Sequence, residues 1–341
     1  MILSVSTVKD APGNVEKWVR RNLAGGIDHL VVCLDAPQPD VEALLDAHPD
    51  VTAVRAHGAW FAGEPAEDLN ERQVINAGLV SRLVAGMPWA QWLFHVDGDE
   101  VVQVDRERLL ALEPEVRAVR LRPVEAVSRW RTDGDPTLFK RLPTEDELAE
   151  LVRVGILAKP DRRRFFRGHV TGKPGLRPSL DLGLGVHKVL DRDARPVPLV
   201  HRRGMRVLHY ESPDGEEFVR KWTALLSSGA PVQHRGTRGR LSDALARLLA
   251  AETDPAQREA EVRRLYDQWA ADDVETLGRL GLLVEIDPDE RPRTAPAPAA
   301  AEVQALRTLL ERAYAVPKLG FRAMSVRSDI DQVVADLQRG L

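Results

Sequence analysis

The sequence predicts an α/β protein with a mostly parallel central sheet flanked by helices. Apolar, β-branched segments typical of buried strands occur at residues 2–8, 27–35 and 92–96, and segments with helical spacing separate them. Glycine and proline mark the breaks between these segments. The opening order of strand, helix and strand forms a βαβ unit, which favours parallel pairing.

The elements follow in order from the hydrophobic periodicity. The first helix should cover residues 15–23, because Val15, Trp18, Val19 and Leu23 share one face, and Gly25-Gly26 should end it. Further strands are predicted at 51–55, 118–124 and 205–212, and further helices at 41–47, from Asp68 onward, at 106–112 and at 216–226. The Gly- and Pro-rich stretch 168–178 is predicted to be a loop.

Composition restricts the class of protein. The 341 residues are 43% hydrophobic and 29% charged, as in globular proteins with a sizeable core. A formal net charge of −4 gives no reason to expect nucleic-acid binding. The single cysteine, Cys33, lies in an apolar segment and is interpreted as a buried hydrophobe in a reducing compartment. Without a secretory signal or a membrane-spanning run, we expect a cytoplasmic protein, with peripheral membrane contact left open.

Composition also suggests the domain organisation. We expect a main domain at 1–230, a helical appendage at 231–286, a Pro- and Ala-rich linker at 287–300 and C-terminal helices at 301–341. The last helices are expected to dock on the main domain or on a second copy of the chain, which would make a homo-oligomer.

The most informative stretch is the apolar strand ending in Asp97-Gly98-Asp99-Glu100. Its carboxylates fall at the carboxyl end of a strand, the edge where open α/β sheets bind ligands. Asp97 and Asp99 can share a hard divalent cation, which would neutralise a pyrophosphate. The alternative is an ordinary turn, since Asp and Gly favour turns.

Other polar residues also allow two interpretations. Asp35 can bind a nucleobase or ribose, or start a turn, and Arg72 can reach a phosphate or be solvated. Lys173 and Arg177 are placed to meet phosphates. His209, at the end of a strand, is either a metal ligand or an imidazole whose hydrogen bonds are satisfied in the core or at the surface. The basic run 159–167 is a solvated loop or a contact for an anionic acceptor or membrane.

With these residues in view, the chain resembles the bacterial family-2-like glycosyltransferases of the GT-A fold, in a branch similar to family 92 glycosyltransferases. Four motifs over residues 1–225 carry the resemblance. They are Val5-Ser6-Thr7-Val8-Lys9-Asp10 with Trp18; Phe94 to Glu100; Gly172-Lys173 with Arg177-Pro178 and His187; and His209-Tyr210 with Ser212, Glu217-Phe218 and Lys221. The family's usual Glu after Asp10 is missing, and Asp35 is followed by Ala36-Pro37 where many relatives have a second acidic residue.

The resemblance implies sugar transfer from a nucleotide sugar, with UDP as the commonest nucleotide, to a hydroxyl of a glycan, lipid-linked or small-molecule acceptor. It places Asp10 in the donor site and implies Mn²⁺ or Mg²⁺ at Asp97 and Asp99, with His209 as a third ligand. The metal, Lys173 and Arg72 would stabilise the leaving diphosphate.

An inverting reaction, which most relatives perform, needs a carboxylate base. Glu100 is the candidate, with Asp133 and Asp135 as competitors whose alternative role is another turn. Two other functions remain open: a nucleotidyltransferase, which the single glycine of Val8–Gly13 disfavours, and a non-catalytic carbohydrate- or partner-binding module that keeps the fold.

Overall fold

The computed structural model describes residues 1–61, 66, 68–227, 237–251, 254–290, 299–323 and 328–339. It forms two compact units, each built from separate stretches of chain. The first unit comprises Met1–Arg122, Thr171–Val207 and Pro288–Leu341, and the second comprises Pro123–Val170 and Leu208–Asp287.

Twelve strands are formed by the described residues. They are β1 (Ile2–Val8), β2 (His29–Leu34), β3 (Val51–Val54), β4 (Trp92–His95), β5 (Glu100–Gln103), β6 (Ala118–Ala126), β7 (Leu138–Arg141), β8 (Lys173–Leu176), β9 (Gly183–Leu184), β10 (Val189–Leu190), β11 (Arg206–His209) and β12 (Leu283–Glu285).

The described residues also form twelve α-helices. They are α1 (Pro12–Ala24), α2 (Pro39–Asp46), α3 (Leu69–Ala85), α4 (Arg106–Leu110), α5 (Glu145–Arg153), α6 (Arg162–Phe165), α7 (Gly215–Ser227), α8 (Thr237–Ala250), α9 (Pro255–Trp269), α10 (Val274–Arg279), α11 (Ala300–Ala313) and α12 (Ser328–Gln338).

The sheet of the first unit has a parallel and an antiparallel half. Strands β3, β2, β1 and β4 lie side by side in that order and are all parallel. Strand β8 follows, antiparallel to β4, and β6 is antiparallel to β8. The α/β class and the flanking helices are therefore confirmed, and the parallel arrangement covers the amino-terminal strands only. The stretch predicted as a loop at 168–178 contains β8, because its backbone pairs with β4 and β6 despite Pro174 and Gly175.

Helices cover both faces of this sheet. Alternation along β1 sends Ile2 and Val8 to one core, which also holds Val15 and Trp18 of α1. Leu3 and Val5 face the other core, with side chains of α3, α11 and α12. Burying apolar side chains on both faces is the main stabilising contribution to such a sheet.

The C-terminal helices pack within the first unit. Arg82 of α3 pairs with Asp331 of α12, and the Gln338 amide donates to the Leu83 carbonyl at 3.2 Å. A Cβ added at Gly78 would lie 2.7 Å from the Phe321 carbonyl oxygen, so α3 needs a small residue there. Docking on the chain's own domain, one of the two predicted alternatives, is what the structure shows. The predicted homo-oligomer stays a prediction.

The second unit joins strands β12, β7 and the end of β6 in antiparallel order. Helices α7, α8 and α9 pack around an aromatic cluster that includes Phe218, Trp222 and Tyr266. The Tyr266 hydroxyl donates to the Ser212 carbonyl at 3.1 Å, which fixes the segment after β11.

The two units cut across the predicted domain boundaries, which stay predictions. The predicted linker lies outside the described residues over 291–298. No helix within the described ranges combines the length and the hydropathy that crossing a bilayer requires.

Candidate functional site

Acidic residues follow three neighbouring parallel strands of the first unit. Asp10 comes after β1, Asp35 directly after β2, and Asp97 and Asp99 after β4. The chain goes from β1 to β2 on one side, whereas β4 pairs with β1 on the other side. The boundary between β1 and β4 is therefore the switch point where doubly wound sheets open a crevice for ligands.

Residues Asp97 to Glu100 form a tight turn. The Glu100 N–H donates to the Asp97 carbonyl at 3.1 Å, and the Asp97 N–H donates to the Glu100 carboxylate at 3.0 Å. The backbone at Gly98 has no positive φ, and a Cβ added there would meet Val8 at an ordinary 3.6 Å. Asp97, Gly98 and Asp99 therefore form a turn and also lie at the edge of the sheet where ligands bind in this kind of fold, so the two interpretations of Asp-Gly-Asp are compatible.

Helix α1 anchors this turn. The Trp18 indole N–H donates to the Asp97 carbonyl at 3.2 Å. The Asn22 amide donates to the Glu100 carbonyl at 3.2 Å and accepts from the Val102 N–H at 2.9 Å. Because Asn22 is fully buried, these bonds hold the turn in one position against the helix.

The Asp97 carboxylate is held by two side chains. Its Oδ1 accepts from the Gln73 amide at 3.0 Å, and its Oδ2 accepts from the Lys173 ammonium at 2.6 Å. Lys173 lies 3.3 Å from Glu100 as well, and both of these side chains are fully buried. The Asp97 side chain is 25% exposed, so solvent reaches part of it.

Charge and burial oppose each other in this cluster. Burial raises the pKa of Asp97, and the Lys173 charge offsets that rise only in part. Burial would lower the pKa of Lys173, but the charges of Glu100 and Asp97 outweigh it and raise the pKa. Two carboxylates, those of Asp97 and Glu100, share the single cation Lys173, and this balance of charge favours binding of a further cation.

Asp35 and Arg72 bind each other. The guanidinium meets the carboxylate with both ends, Nε to Oδ1 at 2.6 Å and Nη2 to Oδ2 at 2.7 Å. The same guanidinium donates to the Ala66 carbonyl at 3.0 Å. A bidentate pair of this kind orients both groups, and the structure brings two predicted donor-site residues into direct contact.

Asp10 and Arg177 have local roles. The Asp10 carboxylate accepts from the Ala11 N–H at 2.6 Å and from Asn14 at 3.1 Å, at the start of α1. Arg177 follows the carboxyl end of antiparallel β8 and therefore lies at the sheet edge opposite Asp97. Its guanidinium stacks over Trp92 at 4.6 Å and donates to the carbonyls of Val116 and Leu112. This position separates Arg177 from the edge that carries the acidic residues.

The oxygen ligands at this edge suit a hard divalent cation. Carboxylates are the protein ligands that Mg²⁺ and Mn²⁺ prefer. Gln73 and Lys173 donate hydrogen bonds to the two Asp97 oxygens, and Asp99 is half-buried at the tip of the turn. The residues present therefore fit a metal, and a role for Asp99 as its most direct ligand stays a prediction.

His209 lies at the end of β11, in the second unit. Its Nδ1 is 3.6 Å from the Glu125 carboxylate, and its Nε2 is 3.6 Å from the Glu211 carboxylate. Lys221 pairs with Glu211 at 2.7 Å, which explains the Lys221 part of the sequence motif. A Cβ at Gly168 would lie 2.0 Å from the His209 ring, so only glycine fits beside this imidazole.

Glu125 is the anchor of this second cluster. It accepts from the N–H groups of Arg167 and Gly168 at 2.8 and 2.7 Å and pairs with Lys140 at 3.0 Å. Burial alone would raise the pKa of Glu125, but Lys140 and His209 lower it well below its usual range. Asp133 and Asp135, the competing base candidates, are exposed on the loop before β7.

Sequence reasoning did not identify two of these contact residues, Gln73 and Glu125. The sequence could have pointed to Gln73, because it is next to Arg72, a predicted donor-site residue, on the first turns of α3. Nothing in the sequence points to Glu125, since a charged residue in a strand most often faces solvent. Its role depends on Lys140 and His209, which are distant in sequence.

Comparisons with known proteins give no family assignment. No protein-family model matches the chain, and no curated protein matches it. The chain is similar to Mycobacterium tuberculosis glucosyl-3-phosphoglycerate synthase in complex with Mn²⁺, UDP and phosphoglyceric acid (10% identity, 80% of each chain covered, TM-score 0.31). It is also similar to S. aureus TarS 1-349 in complex with UDP-GlcNAc (12% identity, 100% of this chain and 93% of that chain, TM-score 0.29).

A third similarity is to the mannosyltransferase PcManGT from Pyrobaculum calidifontis in complex with GDP-Man and Mn²⁺ (12% identity, 99% of this chain and 86% of that chain, TM-score 0.30). TM-scores this low carry no conclusion about activity or ligands. The argument for function therefore comes from the residues of the chain itself.

Proposed function

We propose that the protein is a metal-dependent glycosyltransferase that moves a sugar from a nucleotide sugar to a hydroxyl acceptor. The observation that carries the proposal is the acidic edge of the first unit. Asp35 follows β2, and Asp97 and Asp99 follow β4, so these carboxylates flank the end of β1 near the switch point of the sheet, where ligands bind in this class of fold.

The metal would be held by Asp99 most directly, with Asp97 beside it. A divalent cation at this edge supplies charge neutralisation for the diphosphate as the glycosidic bond breaks. Gln73 and Lys173 orient Asp97, and Trp18 and Asn22 fix the turn that presents Asp99. The carboxylates that would bind the metal are therefore held in position by other side chains of the protein and do not need the ion to orient them.

Lys173 acts as a positioning residue in this proposal. Its ammonium is fully buried and is shared between Asp97 and Glu100, so it reaches the diphosphate only through the carboxylate that it orients. The Asp35–Arg72 pair would offer a planar polar surface to the ribose or nucleobase. Exchange of one of its two hydrogen bonds would release a donor or an acceptor for the ligand.

The transfer itself is a single displacement. The acceptor oxygen attacks the anomeric carbon, the bond from that carbon to the diphosphate oxygen breaks, and a carboxylate takes the acceptor proton. Glu100 is fully buried and bound to Lys173, so we assign it to the turn. The exposed Asp135 and Asp133 remain the candidates for the base.

Two further assignments rest on the resemblance of the sequence. His209 as a nitrogen ligand of the metal stays a prediction, and so does UDP as the nucleotide. Electron spin-echo spectroscopy of bound Mn²⁺ tests the first: nitrogen coupling present in the wild type and absent in His209→Gln supports ligation. Equal coupling in both proteins would contradict it.

Calorimetric titration of UDP, GDP and CMP, with Mn²⁺ and then with excess chelator, tests the main proposal. We expect one nucleotide to bind with Mn²⁺ and to lose at least about tenfold in affinity with chelator, because a divalent cation held by Asp99 would neutralise the charge of the diphosphate. Asp99→Asn should show the same loss.

The matched control is Asp40→Asn, which removes an exposed carboxylate from the first turn of α2. It should bind nucleotide like the wild type. Nucleotide binding that ignores both metal and Asp99 would overturn the metal site. Metal-dependent binding without sugar release to water or any acceptor would favour the non-catalytic module.

A further inference from the structure

A basic surface lies on the first unit, away from any motif of the sequence. It consists of Arg120 and Arg122 of β6 and of His201, Arg202 and Arg203 in the segment before β11. Arg122, Arg202 and Arg203 are exposed, and Arg120 and His201 are half-buried. We call this set the β6 basic surface.

Strand pairing brings its members together across about eighty residues of sequence. Val119 and Val200 form a parallel bridge, the Arg120 N–H donates to the Val200 carbonyl at 2.9 Å, and the Arg122 N–H donates to the Met205 carbonyl at 3.3 Å. His201 Nδ1 lies 3.2 Å from the Arg120 carbonyl. This geometry places His201 against β6.

A turn presents the remaining arginines. The Met205 N–H donates to the Arg202 carbonyl at 3.2 Å, and Gly204 has a φ of +85°, the conformation that a type II turn requires of glycine. Arg203 occupies the corner of this turn. Two successive guanidinium groups are therefore held on a defined backbone.

No carboxylate of the described residues forms an ion pair with Arg120, Arg122, Arg202 or Arg203. Arg120 donates instead to the Thr171 carbonyl at 2.6 Å. The carboxylate near Gly204 is Asp105, which caps α4 and pairs with Arg108 at 3.1 Å. Burial lowers the pKa of His201, and the nearby charges of Arg122 and Arg202 lower it further.

The basic run 159–167, which the sequence suggested as an anion contact, differs. Arg162 pairs with Glu145 at 2.7 Å, and Arg164 lies 3.8 Å from Asp161. Arg167 donates to the Arg164 carbonyl at 2.7 Å. Two of the five cations of that run are therefore paired with carboxylates, whereas no arginine of the β6 basic surface has a carboxylate partner among the described residues.

We propose that the β6 basic surface binds a phosphate group of a soluble ligand. Phosphate binding at this surface does not depend on the proposed function. Guanidinium groups suit phosphate because their parallel N–H donors match two phosphate oxygens. Four arginines with no carboxylate partner, on a chain with a net charge of −4, are otherwise an unfavourable concentration of like charge.

A soluble phosphate fits this surface better than a bilayer does. Membrane-surface segments combine basic residues with apolar side chains that enter the lipid. The large apolar side chains exposed among the described residues are Leu69, Val154 and Leu319, and none belongs to the β6 basic surface. The contact would therefore be made by charge and hydrogen bonds alone.

The test is calorimetry with tripolyphosphate in the presence of chelator, so that no metal contributes. The triple variant Arg122→Gln/Arg202→Gln/Arg203→Gln should bind at least about tenfold more weakly than the wild type, since it loses three guanidinium donors for the phosphate oxygens. The control Arg162→Gln/Arg163→Gln/Arg164→Gln removes the same charge from the run 159–167 and should bind like the wild type. Equal loss in both triple variants, or none in the first, would overturn the proposal. The single variant Arg122→Gln repeats the test if the triple variant does not fold.

Two further arms separate the alternatives. Vesicles of phosphatidylcholine with and without phosphatidylglycerol should not bind; binding to the anionic vesicles but not to tripolyphosphate would replace the proposal with a membrane contact. Asp99→Asn should keep tripolyphosphate affinity while losing nucleotide affinity, so failure of the metal site and failure of this surface give different results.

Discussion

Lys173 and Lys140 are two buried lysines that each have two carboxylate partners but lie in different surroundings. Each side chain is fully buried, and each ammonium lies between two carboxylates: Asp97 and Glu100 for Lys173, Glu125 and Asp272 for Lys140. Lys173 belongs to the first unit and Lys140 to the second.

The difference is in the exposure of the partners. Asp97 is 25% exposed, whereas Glu125 and Asp272 are 1% and 5% exposed. Lys140 also lies 5.5 and 5.9 Å from the ring centres of Phe165 and Phe166. One cluster therefore has a face that a ligand can reach, and the other is closed by apolar side chains.

The comparison shows that a buried ion pair is not by itself evidence of a functional site. Breaking such a pair leaves an uncompensated charge wherever it occurs, so both lysines are expected to matter for stability. Only a cluster with a carboxylate open to solvent, at the ligand-binding edge of a sheet, is expected to matter for binding as well.

The largest expected effect is that of Lys140→Met. Glu125 and Asp272 would lose their shared cation in a closed environment, so the free energy of unfolding should fall by about 3–5 kcal/mol. Urea unfolding followed by circular dichroism measures it. The control Lys188→Met removes an exposed lysine and should change stability by less than ~0.5 kcal/mol. A loss below ~1 kcal/mol for Lys140→Met would contradict the closed-network interpretation.

Lys173→Met should have a smaller effect on stability and an effect on ligand binding. Water can reach Asp97 in place of the ammonium, so we expect a loss of about 1–3 kcal/mol, together with loss of metal-dependent nucleotide affinity. Unfolding and calorimetry on the same preparation separate the two effects. Unchanged nucleotide affinity would show that Lys173, like Lys140, has only a structural role.

Lys318 is a third fully buried lysine and extends the comparison to a site without a carboxylate. It donates to the carbonyls of Ala313 and Val316 at 2.7 and 2.9 Å and lies 4.2 Å from the Trp60 ring centre. Burial lowers its pKa to about 8. Because the unfolded chain then binds more protons above this pKa, Lys318 costs stability at neutral pH, and this cost falls as the pH rises toward the unfolded value of about 10.4.

The smallest expected effect is therefore a pH dependence. Between about pH 7 and about pH 10, the stability of the wild type relative to Lys318→Met should rise by at least about 1 kcal/mol. Thermal unfolding of both proteins at the two pH values measures the change. A difference that stays constant or falls would mean that the ammonium is not desolvated.

The site was predictable where it depends on local pattern. The apolar strand before Asp97 and the βαβ start of the chain identified the parallel strands and the edge that carries the acidic residues. The partners of these residues were not predictable. In the structure Arg72 binds Asp35, and Arg177 lies at the edge of the sheet opposite Asp97. A contact of Arg72 with a phosphate stays a prediction.

The sequence by itself determined the α/β class, the strands that end in Asp35 and Asp97, and the burial of Cys33, because hydrophobic periodicity is a local property of the chain. Only the tertiary structure decided which charged side chains contact each other. The antiparallel register of β8 puts Lys173 beside Asp97 and Arg177 at the other edge, and the pairing of β6 with residues 200–205 assembles the β6 basic surface. Strand register and long-range pairing result from the packing of the whole unit, and neither is encoded in the spacing of a few residues.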